Sequence, residues 1–174
     1  RRPYYMTHAD GLHGLCADPV NIAFRKANIP FRWSETPAKR QLSIIRQNRG
    51  RECIVGWFKN PEREEFGKFT LHIYQDRPTV ALGRADNVRL RSGHPLQATL
   101  LDRTLTLLTK DGYSYGKFVD EKIARLKPKQ MMTTADNLSM LKMVHSYRVD
   151  YFFIAVEEAE VLISSSGFPK SDFK

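Results

Sequence analysis

The chain has 174 residues, of which 41% are hydrophobic and 27% are charged, and its formal net charge is +9. This balance excludes a disordered chain, and the longest apolar run, at 151–156, is far shorter than the roughly 20 residues that span a bilayer. The basic residues are scattered and form no stripe with aromatic residues, so we expect a solvated basic surface and no nucleic-acid partner.

Two cysteines and five histidines are present, but none of them belongs to a recognisable motif. Cys16 and Cys53 have neither a metal-binding nor a redox spacing, and a disulfide and two separate small apolar side chains both remain open. The histidines are dispersed, and the serines at 164–166 lack the surroundings of a nucleophile. The sequence therefore predicts no catalytic residue, no metal site and no cofactor.

Helix and strand patterns alternate along the first half of the chain. Two main helices begin at a cap residue followed by proline, at Asp18-Pro19 and at Thr36-Pro37. The apolar stretch Cys53–Trp57 is bounded by polar residues and predicts a short buried parallel strand. In chain order the predicted elements are a helix from 18 to about 28, an extended segment at 29–33, a helix from 36 to about 48, a strand at 53–57, a helical turn at 61–65 and a strand at 79–82.

The alternation resumes after a polar segment, Arg84–Pro95. Strands separated by helices predict parallel β-α-β units, and the polar break divides these units into two lobes of an α/β protein. The predicted elements of the second half are a strand at 104–108, a helix from 116 to 126, a strand at 130–132, a helix at 135–145, a strand at 151–154 and a helix at 157–163. We place the first lobe at 1–84, a hinge or linker at 85–100, the second lobe at 101–168 and the start of a return to the first lobe at 169–174.

A glycine and an arginine bound the stretch Gly56–Arg63, the most informative in the sequence. Gly56 lies where the predicted strand ends, and a glycine there lets a ligand approach the backbone closely. Arg63 lies at a predicted helix start, and its guanidinium can hold a carboxylate with two parallel hydrogen bonds. A surface arginine paired with a glutamate at 62, 64 or 65 is an equally supported alternative.

A second turn, Thr109–Gly116, joins a predicted strand to a predicted helix. Free backbone N–H groups at a helix start bind an anionic group well, and Ser114 is a candidate N-cap or ligand donor there. An ordinary cap, with Tyr113 and Tyr115 packing locally, is an alternative of at least equal weight. The stretch lacks the pattern of a phosphate loop, so no nucleotide site is predicted.

Aromatic residues near the N-terminus, within Pro3–Met6, precede a turn at Asp10–Leu15. Their rings, that of Tyr4 among them, can line the wall of an apolar pocket. For Tyr5 we slightly favour ordinary core packing. The stretch adds a candidate wall to the predicted ligand site.

The order of these stretches resembles that of the family 3 extracellular solute-binding proteins, the periplasmic partners of amino-acid ABC transporters. The similarity covers nearly the whole chain. It rests on Pro3-Tyr4-Tyr5 with Gly14–Asp18, on Gly56–Arg63 with Phe69 and Tyr74, on Thr109–Gly116, and on Val149–Phe153.

This resemblance implies a two-lobed type II periplasmic-binding fold, with a mainly parallel sheet flanked by helices in each lobe and a first lobe that is incomplete in this chain. It also implies a small amino-acid-like ligand in a cleft between the lobes, the membrane permease of an ABC importer as partner, and a periplasmic or extracytoplasmic location. The alternatives are a sensory module of a signalling receptor and an enzyme of the same fold, such as a dehydratase or a murein-cleaving relative.

The resemblance also assigns roles to single residues. The backbone of Gly56 and the side chains of Phe58 and Arg63 contact the ligand, with Arg63 on its carboxylate. The family's amine-binding aspartate falls near Ala155, where Glu157 is the nearest acid, and Phe58 stands where a hydroxyl residue is common. The predicted ligand-binding residues are Tyr4, Gly56, Phe58, Arg63, Thr109, Tyr113, Ser114, Tyr115 and Glu157.

Overall fold

Two units account for residues 1–174, all of which the computed structural model describes. Unit 1 comprises Arg1–Gln75, and unit 2 comprises Asp76–Lys174. No helix of either unit combines the length and the apolar character needed to cross a membrane.

Unit 1 is built from a β-hairpin and three helices. The hairpin pairs β1 (Met6–His8) with β2 (Gly11–His13) in antiparallel register. The helices are α1 (Ala17–Lys26), α2 (Ala38–Gln47) and the short α3 (Pro61–Glu64). They confirm the three helical segments predicted for this part of the chain, each to within a few residues at its ends.

The predicted strand at Cys53–Trp57 is wrong, because this segment forms no strand. Gly56 has a φ of +74°, which interrupts an extended run, and Cys53 is exposed to solvent. Unit 1 therefore contains a two-stranded antiparallel ribbon in place of the expected mainly parallel sheet.

A four-stranded mixed sheet organises unit 2. Its strands are β3 (Val80–Gly83), β4 (Leu107–Lys110), β5 (Gln130–Thr133) and β6 (Tyr151–Ile154), in the spatial order β3-β6-β4-β5. Strand β4 is parallel to β5 and to β6, whereas β3 is antiparallel to β6. The parallel strands confirm the predicted β-α-β alternation in this half of the chain.

Four helices accompany the sheet of unit 2. They are α4 (Leu96–Leu101), α5 (Lys117–Leu126), α6 (Asn137–His145) and α7 (Val156–Ser166), and a 3-10 turn follows at Lys170–Asp172. Helix α4 begins inside the segment predicted as a hinge or linker, 85–100, and ends one residue beyond it. It is a short helix that begins directly after Pro95, so it offers little hydrophobic periodicity to a sequence-based prediction.

The sheet of unit 2 is covered on both faces at β6, every residue of which is buried. Phe152 and Ile154 pack in a cluster with residues of α6 and α7. Tyr151 and Phe153 point to the other face and pack in a cluster with residues of α4 and α5. A strand covered on both faces explains why the sequence at this point is continuously apolar.

The segment 85–100 is tied to unit 2 by its side chains. Leu90 is 5% exposed and belongs to the core, and Asn87 Nδ2 donates to Asp150 Oδ1 at 2.9 Å. Gly83 leaves room for this packing, since a Cβ atom there would collide with Leu90 and lie 2.7 Å from the Asp150 carbonyl oxygen. The division between the units therefore falls earlier in the chain than the predicted end of the first lobe.

The last residues of the chain also pair within unit 2. Gly83 and Lys174 exchange two backbone hydrogen bonds, of 3.0 and 2.9 Å, and Phe173 lies in the core beside α6. The segment predicted to start a return to the first lobe thus extends the edge of β3.

Candidate functional site

In unit 1 the chain turns at Gly56, and neighbouring side chains fill the space beside this residue. The residue has a left-handed φ of +74°, and a Cβ atom there would collide with the Tyr5 hydroxyl and lie 3.6 Å from Cys16 Sγ. Only glycine fits this backbone conformation and this space without strain. The predicted turn at the predicted glycine is present, although no strand precedes it.

Arg63 is held at the start of α3 by local contacts. Asn60 caps the helix, and its side-chain oxygen accepts a hydrogen bond from the Arg63 backbone N–H at 2.9 Å. The guanidinium Nη1 donates to the carbonyl oxygen of Phe58 at 2.7 Å, and the guanidinium lies 4.7 Å from the centre of the Trp57 ring. These contacts fix the orientation of the guanidinium.

The burial of Arg63 bears on the two interpretations of this residue. Arg63 is 7% exposed, so it does not lie on the solvated surface. Of the neighbouring acids, Glu62 pairs with Arg46 and Glu64 with Lys59, each at 2.8 Å. A buried guanidinium with its five donors suits a carboxylate, because charge and geometry match in a bidentate pair.

Phe58 and Tyr4 differ in their exposure. The Phe58 ring is 44% exposed, while its carbonyl oxygen holds Arg63. Tyr4 is 4% exposed and packs edge-on against Tyr74, with ring centres 6.1 Å apart. Tyr4 therefore belongs to the small core of unit 1, and of the two rings only that of Phe58 presents a large surface to solvent.

The stretch Thr109–Gly116 of unit 2 begins with the last two residues of β4 and leads to α5, so it joins a strand to a helix as predicted. Thr109 is the buried third residue of that strand, and its hydroxyl donates to the Met131 carbonyl oxygen at 3.3 Å. The backbone N–H of Tyr113 donates to the Lys110 carbonyl oxygen at 3.1 Å, and Lys110 Nζ lies 4.7 Å from the Tyr113 ring centre. These contacts form a tight turn whose aromatic ring lies beside a cation.

Ser114 does not cap α5, contrary to one of the two predicted roles. The N-cap is Gly116, with no side-chain capping bond, because the Ser114 hydroxyl donates to a carboxylate oxygen of Asp120. The other oxygen of Asp120 accepts the backbone N–H of Tyr115 at 2.8 Å. An acid of the helix itself therefore occupies the donors of this turn, and an anionic ligand there would compete with Asp120.

Both the hydroxyl group and the ring of Tyr115 make contacts that hold the side chain in place. Its hydroxyl oxygen accepts the backbone N–H of Lys110 at 2.9 Å, and its ring packs edge-on against Phe153 at 5.7 Å between centres. Burial raises the pKa of the Tyr115 hydroxyl to about 12. The hydroxyl is therefore neutral at physiological pH.

Glu157 lies in the first turn of α7 and is engaged by an arginine. One of its oxygens accepts the backbone N–H of Arg77 at 3.1 Å and the Arg77 Nε–H at 2.9 Å. Burial alone would raise the pKa of Glu157, but backbone hydrogen bonds and the Arg77 side chain hold that pKa below its ordinary value. A ligand amine that reached this carboxylate would compete with Arg77.

Three residues that shape these turns were not predicted. Trp57 stacks on Arg63, Asn60 caps α3, and Asp120 holds the turn before α5. The sequence carries a signal for Asn60, because it precedes Pro61 in the same cap-and-proline pattern that marks the two longer helices. It carries none for Trp57 or Asp120, whose contacts depend on the path of the loops.

Comparison with known proteins gives a fold but no sequence relative. No family model and no curated protein matches the chain. An ancestral arginine-binding protein bound to arginine is similar in structure, with a TM-score of 0.69 and 16% identity over 99% of this chain and 73% of that one. The substrate-binding protein of an amino acid ABC transporter gives a TM-score of 0.70 and 17% identity, over 99% of this chain and 72% of that one.

A third similar structure is an ancestral amino acid-binding protein that is a precursor of cyclohexadienyl dehydratase. Its TM-score is 0.69 and its identity is 15%, over 95% of this chain and 71% of that one. At these identities the similarity concerns the fold. The predicted α/β fold of the periplasmic amino-acid-binding type is confirmed, and the chain spans about three quarters of the length of such structures.

Proposed function

We propose that this protein is a non-catalytic solute-binding protein that captures a small carboxylate-bearing, amino-acid-like ligand. It would serve an ABC importer outside the cytoplasm. Two of the structures with the same fold are named for binding amino acids, and a third for an amino acid ABC transporter. Fold alone never fixes function, so the proposal depends on the residues of the site.

The observation that carries the proposal is the buried, preorganised guanidinium of Arg63. The side chain is 7% exposed and is oriented by the Phe58 carbonyl oxygen and the Trp57 ring. A guanidinium carries five N–H donors in a fixed planar geometry. The two oxygens of a ligand carboxylate match that geometry and complement its charge.

Neighbouring features suit a small ligand at this position. Gly56 is exposed to solvent although the Tyr5 hydroxyl lies beside it, and the half-exposed ring of Phe58 offers an apolar surface. Unit 1 carries thirteen lysines and arginines against seven aspartates and glutamates. This positive charge would attract an anionic group toward Arg63.

A thermal-shift screen tests the proposal. The panel would contain the twenty L-amino acids and succinate, each beside the corresponding amide that lacks the free carboxylate. A ligand at a hundred times its Kd stabilises the native state by about 2.7 kcal/mol, which for a chain of this length raises Tm by about 5–10 °C. We expect at least one carboxylate to raise Tm and its amide to have no effect. Equal shifts with acid and amide would show that the carboxylate is not the recognised group.

A further inference from the structure

Strand β5 forms an edge of the unit 2 sheet and is hydrogen-bonded to β4 alone. Its sequence is Gln-Met-Met-Thr, and Met131 and Met132 are 42% and 62% exposed. Natural edge strands usually carry a charge, a proline or a bulge, because an unpaired edge is a template for another strand. Strand β5 has none of these devices within its four residues.

The register with β4 shows which backbone groups of β5 are available. Leu107 faces Gln130, and the Leu107 N–H donates to the Lys129 carbonyl oxygen at 2.9 Å. At the other end the Asp111 N–H donates to the Thr133 carbonyl oxygen at 2.9 Å. In a parallel pair, every second residue of a strand directs both its N–H and its C=O group toward the partner strand, and the residues between them direct theirs away. The N–H and C=O groups of Gln130 and Met132 therefore point away from β4, toward the open edge.

The charges that flank β5 favour a second copy of the same strand. Exposed Lys127 and Lys129 precede the strand, and exposed Asp136 follows it. The segment is thus positive at its start and negative at its end. Antiparallel pairing with an identical segment brings each positive end against the negative end of the other copy, whereas parallel pairing brings like charges together.

One antiparallel register uses the free groups of both strands. With Met131 of each copy at the two-fold axis, Gln130 of one copy faces Met132 of the other, and each facing pair exchanges two hydrogen bonds. The two Met131 residues then form a close non-hydrogen-bonded pair, and Lys127 faces Ala135, next to Asp136. Such an interface is self-complementary, as a two-fold dimer requires.

We infer that β5 pairs antiparallel with β5 of a second copy of this chain, so that two four-stranded sheets join into one sheet of eight strands. The interface is formed by Gln130–Thr133 and by the flanking charges of Lys127, Lys129 and Asp136. This inference does not depend on the solute-binding function, because none of these residues belongs to the proposed ligand site.

Sedimentation equilibrium of the 174-residue chain over a range of concentrations tests the inference. We expect a monomer–dimer equilibrium, and we expect Met131→Lys, which places two cations at the two-fold axis, to raise the dimer Kd by at least about tenfold. Val88→Lys adds the same charge at another exposed apolar residue of unit 2 and should leave the Kd unchanged. A wild type that stays monomeric throughout, or a Met131→Lys variant that dimerises as well as wild type, would overturn the inference.

Cross-linking tests the register without weakening the interface. Facing residues of a non-hydrogen-bonded pair have Cα atoms about 4.5 Å apart, within the range of a disulfide. In a Cys53→Ser background, which removes the exposed native thiol, Met131→Cys should form a covalent dimer on mild oxidation. Val88→Cys is the control for random collision. Equal yields of dimer from the two cysteine variants would contradict the register.

Discussion

Gly56 combines two constraints that can be separated by mutation. Its φ of +74° disfavours any side chain, and a Cβ atom there would also collide with the Tyr5 hydroxyl. Gly93 has nearly the same φ, +75°, but a Cβ atom there would meet nothing within 4 Å. The pair therefore distinguishes backbone strain from steric collision.

We predict that Gly93→Ala lowers the free energy of unfolding by about 1–2 kcal/mol, the usual effect of a left-handed conformation on alanine. Gly56→Ala should lower it by a further 1–3 kcal/mol or so, because the Tyr5 side chain must move. Urea denaturation of the two variants measures the difference. Equal losses of unfolding free energy in the two variants would show that the Tyr5 side chain moves without destabilising the protein.

Tyr115 provides a pH-dependent prediction. Burial raises the pKa of its hydroxyl to about 12, whereas an unfolded tyrosine ionises near pH 10. Its contribution to stability is therefore fully present below about pH 10 and is lost as the pH rises through about 12. We expect Tyr115→Phe, compared with wild type by urea denaturation from pH 8 to 11.5, to lose stability less steeply above pH 10. Parallel curves would contradict the burial of this hydroxyl.

Helix α6 depends on a charged cap. The backbone N–H of Ser139 donates to Asp136 Oδ1 at 2.7 Å, and this bond holds the pKa of the Asp136 carboxyl below its ordinary value. A cap of this kind contributes about 1 kcal/mol. Because the folded pKa is depressed, the ionic part of this contribution is present above about pH 4 and is lost as the pH falls further.

We predict that Asp136→Ala lowers the free energy of unfolding by about 1 kcal/mol at pH 7, and that Asp136→Asn, which keeps a capping oxygen, lowers it less. The difference between wild type and Asp136→Asn should shrink as the pH is lowered from 6 to 3, measured by chemical denaturation. A gap that stays constant over this range would show that the charge of Asp136 is irrelevant to the helix.

The elements that were predicted correctly carry their signals locally. Helix α1 has Asp18-Pro19 in its first turn and α2 begins directly after Thr36-Pro37, although neither Asp18 nor Thr36 is the N-cap. Strand β6 is apolar along its whole length. The errors arise where a distant or conformational feature intervenes. The apolar stretch Cys53–Trp57 is no strand because Gly56 turns the chain, and Ser114 is no cap because Asp120, six residues away, binds its hydroxyl.

The site was predictable in part for the same reason. The spacing from Gly56 to Arg63 marks a turn before a short helix, and the structure contains both. The burial of Arg63 and its contacts with Phe58 and Trp57 depend on the three-dimensional path of the loop. The register that exposes the groups of β5 likewise follows from pairing with β4, which no local pattern specifies.

Apolar burial is distributed unequally between the two units. The buried apolar side chains of unit 1 are Tyr4, Cys16 and Ala17, whereas unit 2 contains two clusters that cover both faces of its sheet. Local stability follows the density of such contacts. The core of the chain, and most of its hydrophobic stabilisation, is therefore in unit 2.

We predict that amide hydrogens of unit 1 exchange with solvent much faster than those of β4 and β6. Hydrogen exchange followed by mass spectrometry of peptic fragments measures this directly. If the opening free energy of unit 1 is lower by about 1.4 kcal/mol, its exchange rates should be about tenfold higher. Equal protection of α1 and β6 would show that unit 1 is stabilised by more than its few buried apolar residues.

The proposed contact between Arg63 and the carboxylate of a small solute can be tested by repeating the thermal-shift panel on two arginine variants. Arg63→Lys keeps the charge but removes the guanidinium geometry. Arg46→Lys is the matched control, because Arg46 also lies over an aromatic ring in unit 1, that of Phe66, but is half exposed and paired with Glu62. We predict a rise in Tm with at least one carboxylate for wild type and Arg46→Lys, and little or none for Arg63→Lys. No shift in the wild type with any compound, or the same shift in the folded Arg63→Lys variant, would contradict the proposed contact.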